Sequence, residues 1–135
     1  MNDNLETLAE KYLGIPYRHG GRDHKGLDCL GLIYLFYRDY GIKIPSGDGN
    51  SYSQEWYMKD PQRLISGINR MGRPVSPSEL QPLDLVYFRI GGAITHMGVM
   101  IDSRRFLHVL KDRVSQISIL NPSWRRRLAG ARRLA

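Results

Sequence analysis

The 135-residue chain contains one cysteine, Cys29, so no intrachain disulfide framework can hold it together. Stability must come from an apolar core, and a chain of this length can build one domain, expected to span 1–135. Long apolar runs are missing too: none approaches the roughly 18 residues that a membrane span requires. The first residues, "MNDNLETLAEKYLG", carry acids and no apolar h-region, so no secretory signal is expected. Acids are in deficit overall, 13 against 20 Lys and Arg, which leaves a net charge of +7. Such a surface favours anionic partners such as nucleic acid, acidic lipid or an anionic cell-wall polymer. Much of the excess lies in "SWRRRLAGARRLA", Ser123 to Ala135, and a basic run of this kind is first of all a solvated face. No recognition motif accompanies it, so nucleic acid is not the expected partner. With 41% hydrophobic and 24% charged residues, the composition excludes a disordered chain.

What is present divides into helices first and strands afterwards. Leu5, Leu8, Ala9, Tyr12 and Leu13 recur at helical spacing, and Gly14 supplies a stop. "GIPYRHGGRDHKGLD" reads as an irregular loop. Cys29 to Tyr40 is apolar nearly all round, as a buried central helix should be, and Gly41 and Pro45 end it. A weaker helical region lies between Ser51 and Met71, and "RPVSPSELQPLD" reads as a proline-rich surface connector. The period then changes. "LVYFRI", "HMGVMI", "RFLHVL" and "VSQISIL" are short runs rich in branched and aromatic residues, read as consecutive antiparallel strands, with Leu128 to Arg133 a further one. The order predicts an α+β domain with its helices on one side of the sheet.

The lone cysteine sits where the apolar helix begins. As a small hydrophobe it could simply be buried. Asp28, however, can cap the helix and place Cys29 in its first turn, where unpaired N–H groups favour an anion and the thiol pKa is expected to fall. A nucleophilic thiol needs a base, and the base needs an orienting group. A three-residue loop, Asp102 to Arg104, pairs Ile101 with Arg105 and His96 with Leu110, which sets His108 diagonally from His96 on one face. His19 and His24, in the loop before the helix, have weaker claims. A zinc site from Cys29, His96 and His108 lacks the close ligand pairs of common zinc motifs.

"GIPYRHGGRDHKGLDCLGLIYLFYRDYGIKIP" resembles the catalytic core of the NlpC/P60 cysteine peptidases, and "LDLVYFR…ITHMGVMIDSRRFLHV" resembles their second block. The likeness runs in order from Leu8 to about His108, and "GARRL" is similar to the closing strand. It implies a papain-like α+β fold in which the nucleophile helix packs on a small antiparallel sheet. Cys29 would be the nucleophile, His96 the general base and His108 its orienting partner. Tyr17 matches a tyrosine of the oxyanion and substrate pocket, and Asp28 an acid that in many members binds the free amine of a peptidoglycan stem peptide. The implied reaction is hydrolysis of an amide between γ-D-glutamate and a diamino acid, with no metal or organic cofactor.

Two departures stand out. Leu30 replaces the serine of "DCSGL", which puts the substrate in question, and Leu83 stands where "QPLDL" commonly has glycine, in a turn. The chain resembles phage-tail or prophage wall hydrolases, synthesised in the bacterial cytoplasm without a signal and then tail-associated or released to the wall. Tail proteins would be its partners beside the peptidoglycan substrate. A structural tail-assembly component with little or no turnover and a thiol acyltransferase are the alternatives.

Overall fold

In the computed structural model, residues 2–42 and 63–134 are described. Helix α1, Asn2–Tyr12, buries Leu5, Ala9 and Tyr12 at helical spacing and leaves Leu13 exposed beyond its end. Helix α2, Cys29–Tyr40, buries Leu32, Ile33, Leu35, Phe36 and Tyr37 and ends at Gly41, whose φ is 102°. The loop between them is more ordered than its glycines suggest. It contains a two-stranded ladder, β1 (Arg22–Asp23) and β2 (Gly26–Leu27), with Arg22 opposite Leu27. Of the weaker helical region, α3 (Arg63–Ile68) is seen; Pro45 and residues 51–62 lie outside the described residues.

The second half forms a six-stranded antiparallel sheet of β3 (Arg73–Val75), β4 (Leu85–Ile90), β5 (Ala93–Met100), β6 (Arg105–His108), β7 (Ser115–Ser118) and β8 (Leu128–Arg133). Its order is β3-β8-β4-β5-β6-β7, so β8 returns to lie between β3 and β4. The connector "RPVSPSELQPLD" is therefore not all loop. Its first three residues are an edge strand against β8, and Pro74 is tolerated because an edge can spare a donor. A 3-10 turn, Pro77–Glu79, follows, capped by Ser76.

Helices α1 and α2 cover one face of the sheet, where Leu85, Met97, Val99, Leu107 and Val109 join their apolar side chains. The expectation that all helices share this side is corrected by α4, Pro122–Arg127. Its Trp124 packs on the opposite face with Val86, Phe88, Met100, Phe106 and Ala131. A helix too short to show an apolar stripe gives no periodic signal, but one tryptophan is enough to dock it.

Leu83 occupies a left-handed backbone conformation, φ 76°. That explains why glycine suits this turn, since a side chain there costs about 1–2 kcal/mol. The strain is held by two bonds: Leu83 N–H donates to the Met100 carbonyl (2.7 Å) and its own carbonyl accepts the Tyr37 hydroxyl (2.7 Å). Next to it, the buried Asp84 carboxylate receives both arms of Arg133, at 2.9 and 2.8 Å, and ties β8 to the start of β4.

Candidate active site

The expected site residues come from three elements: Cys29 opens α2, His96 lies on β5 and His108 on β6. Asp28 stands in extended conformation before α2, and its Oδ1 accepts the Gly31 N–H at 2.8 Å, as an N-cap should. The same carboxylate takes Arg22 at 2.9 Å and, through Oδ2, the Gly20 N–H at 2.9 Å. It is 4% exposed. Gly31 is needed at this point, because a Cβ there would collide with the Gly21 carbonyl. The loop thus lies directly on the first turn and fixes where Cys29 points.

The thiol of Cys29, half-buried, reaches the backbone on either side of His96. Its Sγ lies 3.9 Å from the Thr95 carbonyl and receives the Met97 and Leu30 N–H groups. Its ionisation differs from the expected lowering. Burial, followed by the Asp28 charge, pushes the thiol pKa up to about 12, against the smaller opposing effects of Met97 N–H, Arg22 and Leu30 N–H. The helix terminus is real, but desolvation wins.

The histidines arrive as the three-residue loop predicts. Val99 pairs with Leu107 and Met100 with Phe106, and Ile101 N–H donates to the Arg105 carbonyl at 2.9 Å. The turn is set by Asp102, whose carboxylate accepts the N–H groups of Arg104 (2.8 Å) and Arg105 (2.7 Å). His108 then lies diagonally from His96, and His96 Nε2 and His108 Nδ1 share a hydrogen bond of 2.9 Å. The residue between them on that face is Gly98. A Cβ there would sit 2.9 Å from both the Leu107 carbonyl and the Phe106 ring, and 3.4 Å from His108 Cβ. Glycine lets the two imidazoles meet across it.

Both rings are buried, at 2% and 3% exposure. Burial, with the His108 charge second, lowers the His96 pKa to about 3; burial lowers that of His108 to about 4. Both are neutral at neutral pH. The bond to His108 occupies His96 Nε2 and leaves Nδ1 as the other nitrogen of that ring.

Tyr17 is half-buried on the same side. Its pKa is raised first by burial and then by the charges of Asp28 and Cys29, which marks its hydroxyl as their neighbour. Leu30 is half-buried and packs against the main core. His24 leans on the Tyr12 ring at 5.0 Å. Among the described residues, no three His, Cys, Asp or Glu side chains converge as metal donors. Sequence reasoning missed Arg22, Gly98 and Trp124. Only the glycine of "HMG" and the tryptophan heading "WRRR" carried any signal of the last two.

Residues 14–133 match the NlpC/P60 family. The chain belongs to that family. Among its curated relatives, the Murein DD-endopeptidase MepS/Murein LD-carboxypeptidase of Escherichia coli strain K12 is 33% identical over 123 residues. The match takes in 90% of this chain and 56% of that protein. The Gamma-DL-glutamyl hydrolase of Bacillus subtilis strain 168 is 32% identical over 130 residues, 93% of this chain and 27% of that one. The crystal structure of an NlpC/P60 family protein from Bacillus cereus ATCC 10987 superposes with a TM-score of 0.76 at 27% identity. It covers 99% of this chain and 40% of that one. The chain thus spans about half or less of the length of these relatives.

In this NlpC/P60 domain α2 covers one face of the sheet, and the two imidazoles project from the other. The Cys29 sulfur touches β5 at Thr95 and Met97, on either side of His96 and beyond the paired rungs Val99–Leu107 and Met100–Phe106. A thiol, an imidazole and an orienting imidazole are the parts that acyl transfer through a thioester requires.

Proposed function

We propose that the protein is a cysteine hydrolase that cleaves an amide in peptidoglycan stem peptides. The observation that carries the reading is the His96–His108 bond on the strand whose backbone holds the Cys29 sulfur. Relatives named as murein DD-endopeptidases support the substrate class, and the relative named as a Gamma-DL-glutamyl hydrolase supports a γ-glutamyl bond as the one cut. Because thiol and imidazole are both neutral at rest, proton transfer accompanies attack rather than preceding it. Sγ bonds to the carbonyl carbon as its proton passes to His96 Nδ1. That proton then goes to the leaving amine as the C–N bond breaks, which leaves a thioester on Cys29. Water next gives a proton to His96 as its oxygen bonds to the thioester carbon; the C–S bond then breaks, the acid leaves, and the proton passes from His96 to Sγ to restore the thiol. The Cys29 N–H and the Tyr17 hydroxyl are the candidates to hold the oxyanion.

The substrate need not present a free N-terminal amine. Asp28 is already committed to the Gly31 cap, to Arg22 and to Gly20, and Leu30 offers no hydrogen bond. The phage or prophage setting is part of this proposal and is supported by the sequence resemblance alone; finding the chain in purified tail particles tests it.

Digestion of purified peptidoglycan, with released fragments read by mass spectrometry, tests the activity. Cys29→Ala should lose at least about a thousand-fold in rate while keeping its fold, since alanine suits a helix. A variant as active as the native enzyme would remove the nucleophile.

A further inference from the structure

Among the described residues, one buried side-chain polar atom has no hydrogen-bond partner: Nε2 of His108. Beside it stands Trp124, in the first turn of α4. The centroid of its ring lies 4.8 Å from that of His108, with the planes at 78°, and 5.4 Å from that of His96, with the planes at 39°. Edge-on contacts to Phe88 (5.1 Å) and Phe106 (5.7 Å) complete an aromatic box against the histidine pair. The indole is held in place from behind. Asn121 caps the helix by accepting the Ser123 and Trp124 N–H groups, and Arg127 lies over the ring at 5.8 Å while its guanidinium bonds Ser123.

The two tautomers of the pair are not equivalent in such a box. If His108 Nδ1 donates, then His108 Nε2 carries a lone pair towards electron-rich aromatic surroundings. His96 is then left with its proton on Nδ1, the nitrogen that must accept one from the thiol. If His96 Nε2 donates instead, His108 carries its proton on Nε2, and an aromatic face attracts an N–H where it repels a lone pair.

We propose that Trp124 is a positioning residue for the histidine pair: its face takes the His108 Nε2–H and so fixes the tautomer that leaves His96 Nδ1 free to act as base. The inference rests on the reading of His96 as that base. Trp124 touches neither substrate nor thiol in this account; it acts through His108 and by keeping water from the bond between the rings.

Ring nitrogen-15 shifts of the four histidines, recorded on the full chain near neutral pH, read the tautomers directly. The native protein and Trp124→Phe should both show His96 and His108 protonated on Nε2. Trp124→Leu should show mixed tautomers at His108 and lose at least about tenfold in kcat with KM unchanged. A native His108 protonated on Nδ1 would overturn the proposal, as would unaltered tautomers and kcat in Trp124→Leu. Should that variant fail to fold, the native and Trp124→Phe spectra still decide. The shifts are read without substrate, so a fully active Cys29→Ala would sink the hydrolase reading and leave this result standing.

Discussion

Both faces of the six-stranded sheet bury apolar side chains, but only one of them also buries a pair of histidines. Towards α1 and α2 lie Leu85, Met97, Val99, Leu107 and Val109, each no more than 2% exposed and none of them titratable. On the other face, Phe88, Met100 and Phe106 surround His96 and His108, nearly as deeply buried. One strand, β5, contributes to both sets, Met97 and Val99 to the first and His96 and Met100 to the second, because successive side chains alternate across a sheet. The apolar set under the helices and the histidine pair are thereby separated by a single residue of register. A slip by one would send the imidazoles into the helix core. The histidine face tolerates two buried polar rings because the two share a hydrogen bond.

The comparison can be broken from either side. On the catalytic face, His96→Ala should cost at least about a thousand-fold in kcat/KM, since no base remains beside the thiol. His108→Gln should be milder, about ten- to a hundred-fold, because an amide can still bond His96 Nε2. Steady-state kinetics on one stem peptide would check both, and a reversed order would exchange the two roles. On the helix face, Leu107→Ala should lower unfolding free energy by about 2–5 kcal/mol in urea titrations. Where that variant remains folded, its kcat should match the native value. A large fall in kcat would mean that the faces are not separable.

Acid should sharpen the same contrast with a smaller effect. The folded imidazoles titrate near 3 and 4, lowered by burial, whereas unfolded histidine titrates near about 6.5. Below that value the unfolded chain binds more protons, so stability is lost as pH falls from about 6.5 towards the folded values. Between about pH 6.5 and 5, each imidazole that stays neutral in the fold should cost about 1.5 kcal/mol. Urea midpoints at the two pH values should therefore fall less in His108→Gln than in the native chain. An equal fall would place the acid sensitivity elsewhere.

Much of this site was legible in the sequence because it is set by local rules. Asp28 before an apolar run predicted the cap, and the length of the Asp102–Arg104 turn predicted the histidine register, which the observed rungs reproduce. What stayed hidden depends on packing between distant segments. The edge strand Arg73–Val75 is a strand only because β8 returns beside it, and no periodic pattern marks three residues containing proline. Trp124 stands amid arginines in a stretch that reads as solvated surface, and only the fold brings it to the histidines. The thiol was misjudged for the same reason. A helix N-terminus is visible in sequence; the burial that outweighs it is not.

The central claim is that Cys29 rests as a neutral thiol and loses its proton only as it attacks. Cys29 is the only cysteine, so its alkylation rate against pH can be followed on the native chain without assignment. The account predicts that half-maximal reactivity lies well above about 8.5, the value of a free thiol, and little labelling at neutral pH. A midpoint within the roughly 3.5–7.5 range of activated cysteines would contradict it and show a thiolate already formed beside a protonated His96.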